Sequence, residues 1–435
     1  MAASLWTAVA QADTARLEAN APRYDQEYPV INYSGPATHN RVWRLQQRLH
    51  SGQLKLEWEP RWGYLRSLLK ALDINIDSQV LVFSKTSLQT EQISAKTPRA
   101  IYFNDDTYVG WVQGSALTEF TVIDAEAGVV FFGLDNRAEA PTQMEREGGR
   151  CLTCHDTYSM MGGGVPRVLA MSSPVDDPLD TRPFTTASEV DDRTPVSQRW
   201  GGWYVTGHQG RQNHFGNLPL REEEGQEALH RPAARDVATL AAYFDTGNYL
   251  TDKSDIAALM VLEHQAFVQN QITRVNYKVR SMMARDGHAQ PAPHAWDQVN
   301  SKDQAMMRTM IEPLLRALFC ADAVPLDDRI ASSSGFASRF SAQGPRDRKG
   351  RSLRELDLNR RLLRYPLSYL IYSEHFDALP DYVLDYIGTR IVGALTGTDN
   401  TGLGAQLSAS DREAIKQILI DTKPRFGRML AASGR

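Results

Sequence analysis

Cysteine is scarce in this chain: 435 residues hold three, at positions 151, 154 and 320. Three thiols build no disulfide framework, so an ordinary apolar core has to hold the fold together. Long apolar runs are missing as well; none approaches the roughly 20 residues that a membrane-spanning helix needs. Charge of one sign is not in excess. Against 52 acidic residues stand 48 Lys and Arg, a formal net charge of -4, which offers no basic surface to nucleic acid or anionic lipid. The nucleophile-elbow G-x-S-x-G, the H-E-x-x-H zinc helix and the Walker phosphate loop are all absent, which removes the usual signatures of three large enzyme classes. What is present is ordinary globular composition, 42% hydrophobic and 23% charged, in a chain long enough for two or three domains and a large core.

Two of the three cysteines fall together. Residues 151–155 read Cys-Leu-Thr-Cys-His, the C-x-x-C-H run in which two thiols form thioethers with haem vinyl groups and the adjacent imidazole ligates the iron. Zinc is the competing reading, since C-x-x-C often supplies half of a tetrahedral set. That set would need a second pair of ligands, and no second C-x-x-C exists. A redox dithiol is the remaining alternative. The expected cofactor is one covalent haem c, with Cys151 and Cys154 as attachment points and His155 as axial metal ligand.

The sixth iron position separates electron transfer from small-molecule chemistry, because a closed site exchanges electrons and an open one binds ligands. His264 is the first candidate, set among apolar neighbours in a helical segment that would hold a ligand firmly. Met160, Met161 and Met171 follow the attachment run; a thioether ligand would raise the potential. The first two lie close to the covalent anchor, and Met171 alternates like a core strand residue. The stretch Arg199–Asn217 concentrates Trp, His, Arg and Gly, residues able to stack on a porphyrin or pair with its propionates, with His208 or His214 as distal groups. A Trp-anchored hairpin with a glycine-rich turn accounts for the same residues. Cys320, in Leu-Phe-Cys-Ala, reads as an inert buried thiol.

Periodicity predicts an α+β fold. Residues 41–49 and 62–72 have helical spacing, and strands are expected at 79–84, 100–103, 107–112, 119–123 and 128–132, forming an antiparallel sheet. Residues 138–150 read as a polar connection and 156–235 as an irregular segment that wraps the haem. Helices are expected at 236–244, 253–284, 303–320, 359–373, 380–395 and 410–421, with loops at 290–300 and 331–351. The resulting division is an N-terminal arm (1–37), an α+β domain (38–150), a haem-attachment segment (151–235) and a helical domain (236–435). Residues 2–10 with Ala10-Gln11-Ala12 resemble the end of an export signal whose charged start is missing.

The attachment run resembles c-type cytochromes. The blocks at 97–104, 199–207 and 259–265 resemble those of large, single-haem bacterial proteins that mostly lack an assigned role. This resemblance implies an extracytoplasmic, periplasmic, iron-binding haem protein, and transfers no activity. An electron-transfer protein with a redox partner protein is the first expectation; a haem enzyme (peroxidase- or oxygenase-like oxidoreductase) or a small-ligand sensor is the alternative. The length of the chain and its strand-rich part before the motif depart from small cytochromes c.

Overall fold

A computed structural model describes residues 25–85, 87, 89–138, 142–156, 164–173, 187–217, 235–285 and 293–433. Two helices come first, α1 (Arg41–His50) and α2 (Leu65–Ala71). Asn40 caps α1 by accepting the Trp43 amide at 2.9 Å, satisfying one of the orphan donors of the first turn.

The chain then forms a meander: β1 (Val80–Val82), β2 (Arg99–Phe103), β3 (Thr107–Trp111), β4 (Leu117–Asp124), β5 (Gly128–Asp135) and β6 (Met144–Glu147). All neighbours are antiparallel. Side-chain acceptors make the turns. Asn104 Oδ1 takes the Asp106 and Thr107 amides, and Asp124 Oδ1 takes those of Glu126 and Ala127, the Asx-turn chemistry expected of these residues. The β6 strand falls within the expected polar connection. Its sequence, Met-Glu-Arg-Glu, is charged because it is the sheet's edge, where polarity guards against mispairing.

After β6 come α3 (Gly149–His155), the short pair β7 (Met171–Ser172) and β8 (Ser188–Glu189), and β9 (Trp203–Tyr204). β9 pairs with β1, so the sheet order is β6-β5-β4-β3-β2-β1-β9. The Trp-rich segment thus completes the main sheet rather than closing a hairpin of its own. Trp200 makes the turn possible by adopting φ +66°, its ring edge-on to His214.

The remainder is mostly helical: α4 (Ile256–Arg285), α5 (Ser301–Leu318), α6 (Phe336–Ala342), α7 (Glu374–Asp377), α8 (Asp381–Thr396), α9 (Ala409–Thr422) and α10 (Pro424–Ser433). The protein is α+β, and among the described residues no helix is long and apolar enough to cross a membrane. Thirty residues make α4 about 45 Å long. Every residue from Ile256 to Ala266 is buried, as befits a helix without a polar stripe. The buried apolar cluster runs from Tyr28 to Leu430.

Two helical expectations and one loop expectation give way to tertiary context. Residues 236–244 form turns: Asp236 sits at φ +54°, and the backbone is spent on Gly207 and Asp252. Leu240 and Phe244 are nevertheless buried, so the spacing marked burial without a helix. Residues 359–373 are turns ending in a 3-10 segment at Tyr369–Tyr372, because Pro366 has no amide to donate and Arg364 pairs back to Glu355. Conversely, 331–351 is organised around α6. The Asp255 carboxylate accepts the Ser333 and Ser334 amides at 2.8 Å and the Ser332 and Ser334 hydroxyls, and Phe336 and Phe340 bury one helical turn apart.

Burial pushes His214 and His375 down to about 4. His214 Nδ1 accepts the Gly216 amide at 3.0 Å, which fixes the neutral ring. A folded-state value below the unfolded 6.5 gives stability that is complete above pH 6.5 and is lost as pH falls through 4. These two rings should therefore pull the thermal midpoint down as pH falls from 6.5 toward 4, read by circular dichroism. His375→Gln should make that fall shallower.

Candidate functional site

The C-x-x-C-H residues fold as the single helix α3, immediately after β6. Helical geometry brings positions i, i+3 and i+4 onto one side, and Cys151, Cys154 and His155 accordingly line one cavity. The opposite wall is the half-buried face of the sheet: Leu117, Glu119 and Thr121 of β4 and Phe131 of β5. The His155 and Phe131 rings lie 4.7 Å apart. Gly110 and Gly133 flank Glu119 in one cross-strand row. A Cβ at Gly110 would meet Arg99 Nη2 at 2.4 Å. The bare glycine is what lets the Arg99 guanidinium cross β3 to Glu119, 2.9 Å away.

His155 is held as a ligand is held. Its Nδ1 lies 2.9 Å from the carbonyl oxygen of Arg167. A carbonyl can only accept, so Nδ1 carries the proton and the Nε2 lone pair is left over. Burial, aided by Arg99, pushes the ring down to about 4 against that hydrogen bond, so the imidazole is neutral at physiological pH. Among the described residues nothing is bonded to Nε2. A backbone acceptor that orients the remote nitrogen is the usual support of a metal-bound imidazole. Burial, with Glu119 and Glu147, pushes the Cys151 thiol up to about 12; burial also raises Cys154. Both are unreactive as free thiolates, which argues against the redox-dithiol reading.

The support of His155 traces to α4. Asn270 grips Val168 from both sides, accepting its amide and donating to its carbonyl, each at 2.8 Å. Val168 adjoins Arg167, whose carbonyl holds His155 and whose own amide donates to the His155 carbonyl at 3.2 Å. Sequence reading missed Asn270; no spacing rule couples an asparagine to a histidine 115 positions earlier.

Donor chemistry fits a covalent haem: two thiols, a neutral imidazole with a spare lone pair, and Arg99 Nε, which is buried without a partner in the cavity wall. Arg99 is suited to a carboxylate such as a propionate. The enclosed space is about 60 Å³, room for water rather than for a macrocycle, so the fit rests on the donors.

The other expected haem residues are not brought to this cavity. His264 is wholly buried, its Nδ1 2.7 Å from Asp192 Oδ2 and its Nε2 2.8 Å from Ser368 Oγ. His264 does not line the cavity of His155, so the structure does not bring the residue expected as sixth ligand to that cavity. Met171 is buried in β7, where its carbonyl accepts the Trp203 indole at 2.6 Å. His208 pairs with Asp236 at 2.7 Å in a half-exposed position, and His214 donates to Gln209. Arg199 pairs with Glu263 at 2.8 Å, both buried. Met160, Met161 and residues 2–12 lie outside the described residues.

A second group forms around His264. Asp192, His264 and Cys320 bring a carboxylate oxygen, an imidazole nitrogen and a sulfur within 4.8 Å of one another. Burial would lower His264, but the Asp192 carboxylate overcomes it and lifts the ring to about 10. Cys320, expected to be an inert core thiol, lies beyond the end of α5 at φ +49°, a conformation costly for a residue with a Cβ. Asp192 and Cys320 line a cavity of about 260 Å³ with Arg199, Arg360 and Arg361.

Asn270→Ala should strand the Val168 amide and carbonyl and cost about 2 kcal/mol or more in denaturant unfolding. Exchange of the Val168 amide hydrogen should speed up in the same variant. Unchanged exchange would show that the clamp does not hold the segment behind His155.

No family model matches this chain, and neither a curated protein nor a solved structure matches it.

Proposed function

We propose that the chain carries one haem c, attached through Cys151 and Cys154 with His155 Nε2 on the iron, and acts as an extracytoplasmic electron-transfer protein. The observation behind this reading is the neutral, backbone-anchored His155 on the same helix face as both thiols. The bound group would supply one-electron exchange at its iron. The protein residues orient the imidazole through Arg167, offer a guanidinium to a propionate through Arg99, and back the site with the Phe131 ring. Covalent haem attachment in bacteria takes place outside the cytoplasm, which makes the periplasm the proposed compartment. A redox partner protein would dock near the open rim of this cavity, where the half-exposed Arg150 lies.

A second reading, ligand binding or catalysis at an open iron position, draws support from the cavity wall. Among the described residues lining it there is no methionine and no second histidine.

Haem should stay with the polypeptide through acid–acetone extraction, and Cys151→Ser/Cys154→Ser should lose at least nine-tenths of it. Equal haem content in that double variant would sink the attachment site. Carbon monoxide and cyanide then choose between the two readings. Absorption spectra that ignore both ligands favour electron transfer, whereas a shift of the main haem band on adding either one favours the open position.

A further inference from the structure

The group around His264 belongs to no part of the haem reading, yet its geometry is more constrained than packing requires. Three donor types converge from three separate segments: the carboxylate of Asp192, an imidazole nitrogen of His264 on α4, and the sulfur of Cys320 after α5, all within 4.8 Å. Backbone hydrogen bonds tie these segments together. Val324 donates to the Asp192 carbonyl at 2.8 Å, and Ser368 donates to the Leu318 carbonyl at 2.7 Å. Two of the donors, Asp192 and Cys320, face the 260 Å³ cavity, while His264 and Ser368 are fully buried and do not line it.

We propose that Asp192, His264 and Cys320 bind one divalent transition metal of the zinc type, with a fourth position open to the cavity. Carboxylate, imidazole and thiolate are the three donors zinc prefers, and three protein ligands with one open position is the pattern of sites that bind an exogenous ligand. Metal–donor lengths of about 2.0–2.3 Å put tetrahedral donors roughly 3.5 Å apart. The Asp192 oxygen and Nδ1, now 2.7 Å apart, need to open by about an ångström, and the sulfur, within 4.8 Å of the other donors, to settle at the same spacing. Nδ1, which faces Asp192, is the coordinating nitrogen. Nε2–H then donates to Ser368 Oγ, already 2.8 Å away, the outer hydrogen bond that metal-bound histidines ordinarily make.

Charge supports the same assignment. A thiolate and a carboxylate supply two negative charges that a divalent cation cancels, and Arg199 is already balanced by Glu263. The open side carries Arg360, whose contact with Asp357 is long at 3.9 Å, so the exogenous ligand would be a small anion. Acid–base pairing of the Cys320 thiol with His264, the two being hydrogen-bonded to each other, is the competing account, and the zinc-edge sulfur signal separates the two.

The test uses the full-length, haem-loaded protein, stripped with chelator and reloaded with zinc. Element analysis should find about one zinc per chain, and zinc-edge X-ray absorption should show one sulfur neighbour at about 2.3 Å, a signal that haem iron does not touch. Cys320→Ser should remove the sulfur neighbour, Cys151→Ser/Cys154→Ser should keep it, and Ser368→Ala should weaken zinc about tenfold. Should a buried variant fail to fold, zinc should still slow alkylation of Cys320 in the unaltered protein at least tenfold. Absence of retained zinc, a sulfur neighbour that follows Cys151 and Cys154 instead, or alkylation of Cys320 indifferent to zinc would each overturn the site. None of these readouts depends on whether the haem transfers electrons.

Discussion

The architecture depends on one constraint: α4 is buried along much of its length, and the polar side chains from Glu263 to Asn270 that it carries into the core find partners inside the protein. An unmet polar group there costs roughly 1–3 kcal/mol, and α4 carries several in succession. Glu263 takes Arg199, His264 takes Asp192 and Ser368, Gln265 reaches the Asn104 carbonyl and two tyrosine hydroxyls, Gln269 reaches the Asp105 carbonyl, and Asn270 holds Val168. These bonds point in different directions around the helix. They pin the β2–β3 turn, the loop behind His155 and the end of α5 to a single column.

Both candidate sites inherit their geometry from that column. His155 is oriented by Arg167, which is placed by Val168, which is gripped by Asn270. The Asp192–His264–Cys320 group uses α4 directly. The two sites differ in electrostatic character. Around His155, burial without a facing carboxylate at bonding distance leaves a neutral ring. Around His264, a carboxylate at 2.7 Å keeps the ring protonated in the absence of metal. Buried imidazoles in one protein are thus tuned in opposite senses by what lies opposite Nδ1: a carbonyl in one case, a carboxylate in the other.

Much of the fold could be read along the chain. The meander from Val80 to Asp135 was legible because strand alternation and Asx turns are local, and α4, α5, α8 and α9 announced themselves through sustained apolar spacing. Segments 236–244 and 359–373 carried the same spacing without the helix. There, backbone groups are claimed by distant partners or blocked by proline, which no periodicity records. β6 stayed hidden for the opposite reason: an edge strand is stabilised by its neighbour's backbone and needs no apolar side chains.

For the sites the division is sharper. Sequence alone determined the Cys151–Cys154–His155 group, since the three are adjacent and a single helical turn puts them on one side. It also marked His264 as out of place in an apolar helix. Only the tertiary structure decided what His264 faces. Its partners Asp192, Cys320 and Ser368 lie 72, 56 and 104 positions away along the chain, and such encounters are set by packing around α4 and not by local spacing. A contact between residues adjacent in sequence is a property of the chain; one between distant residues exists only once the core has closed.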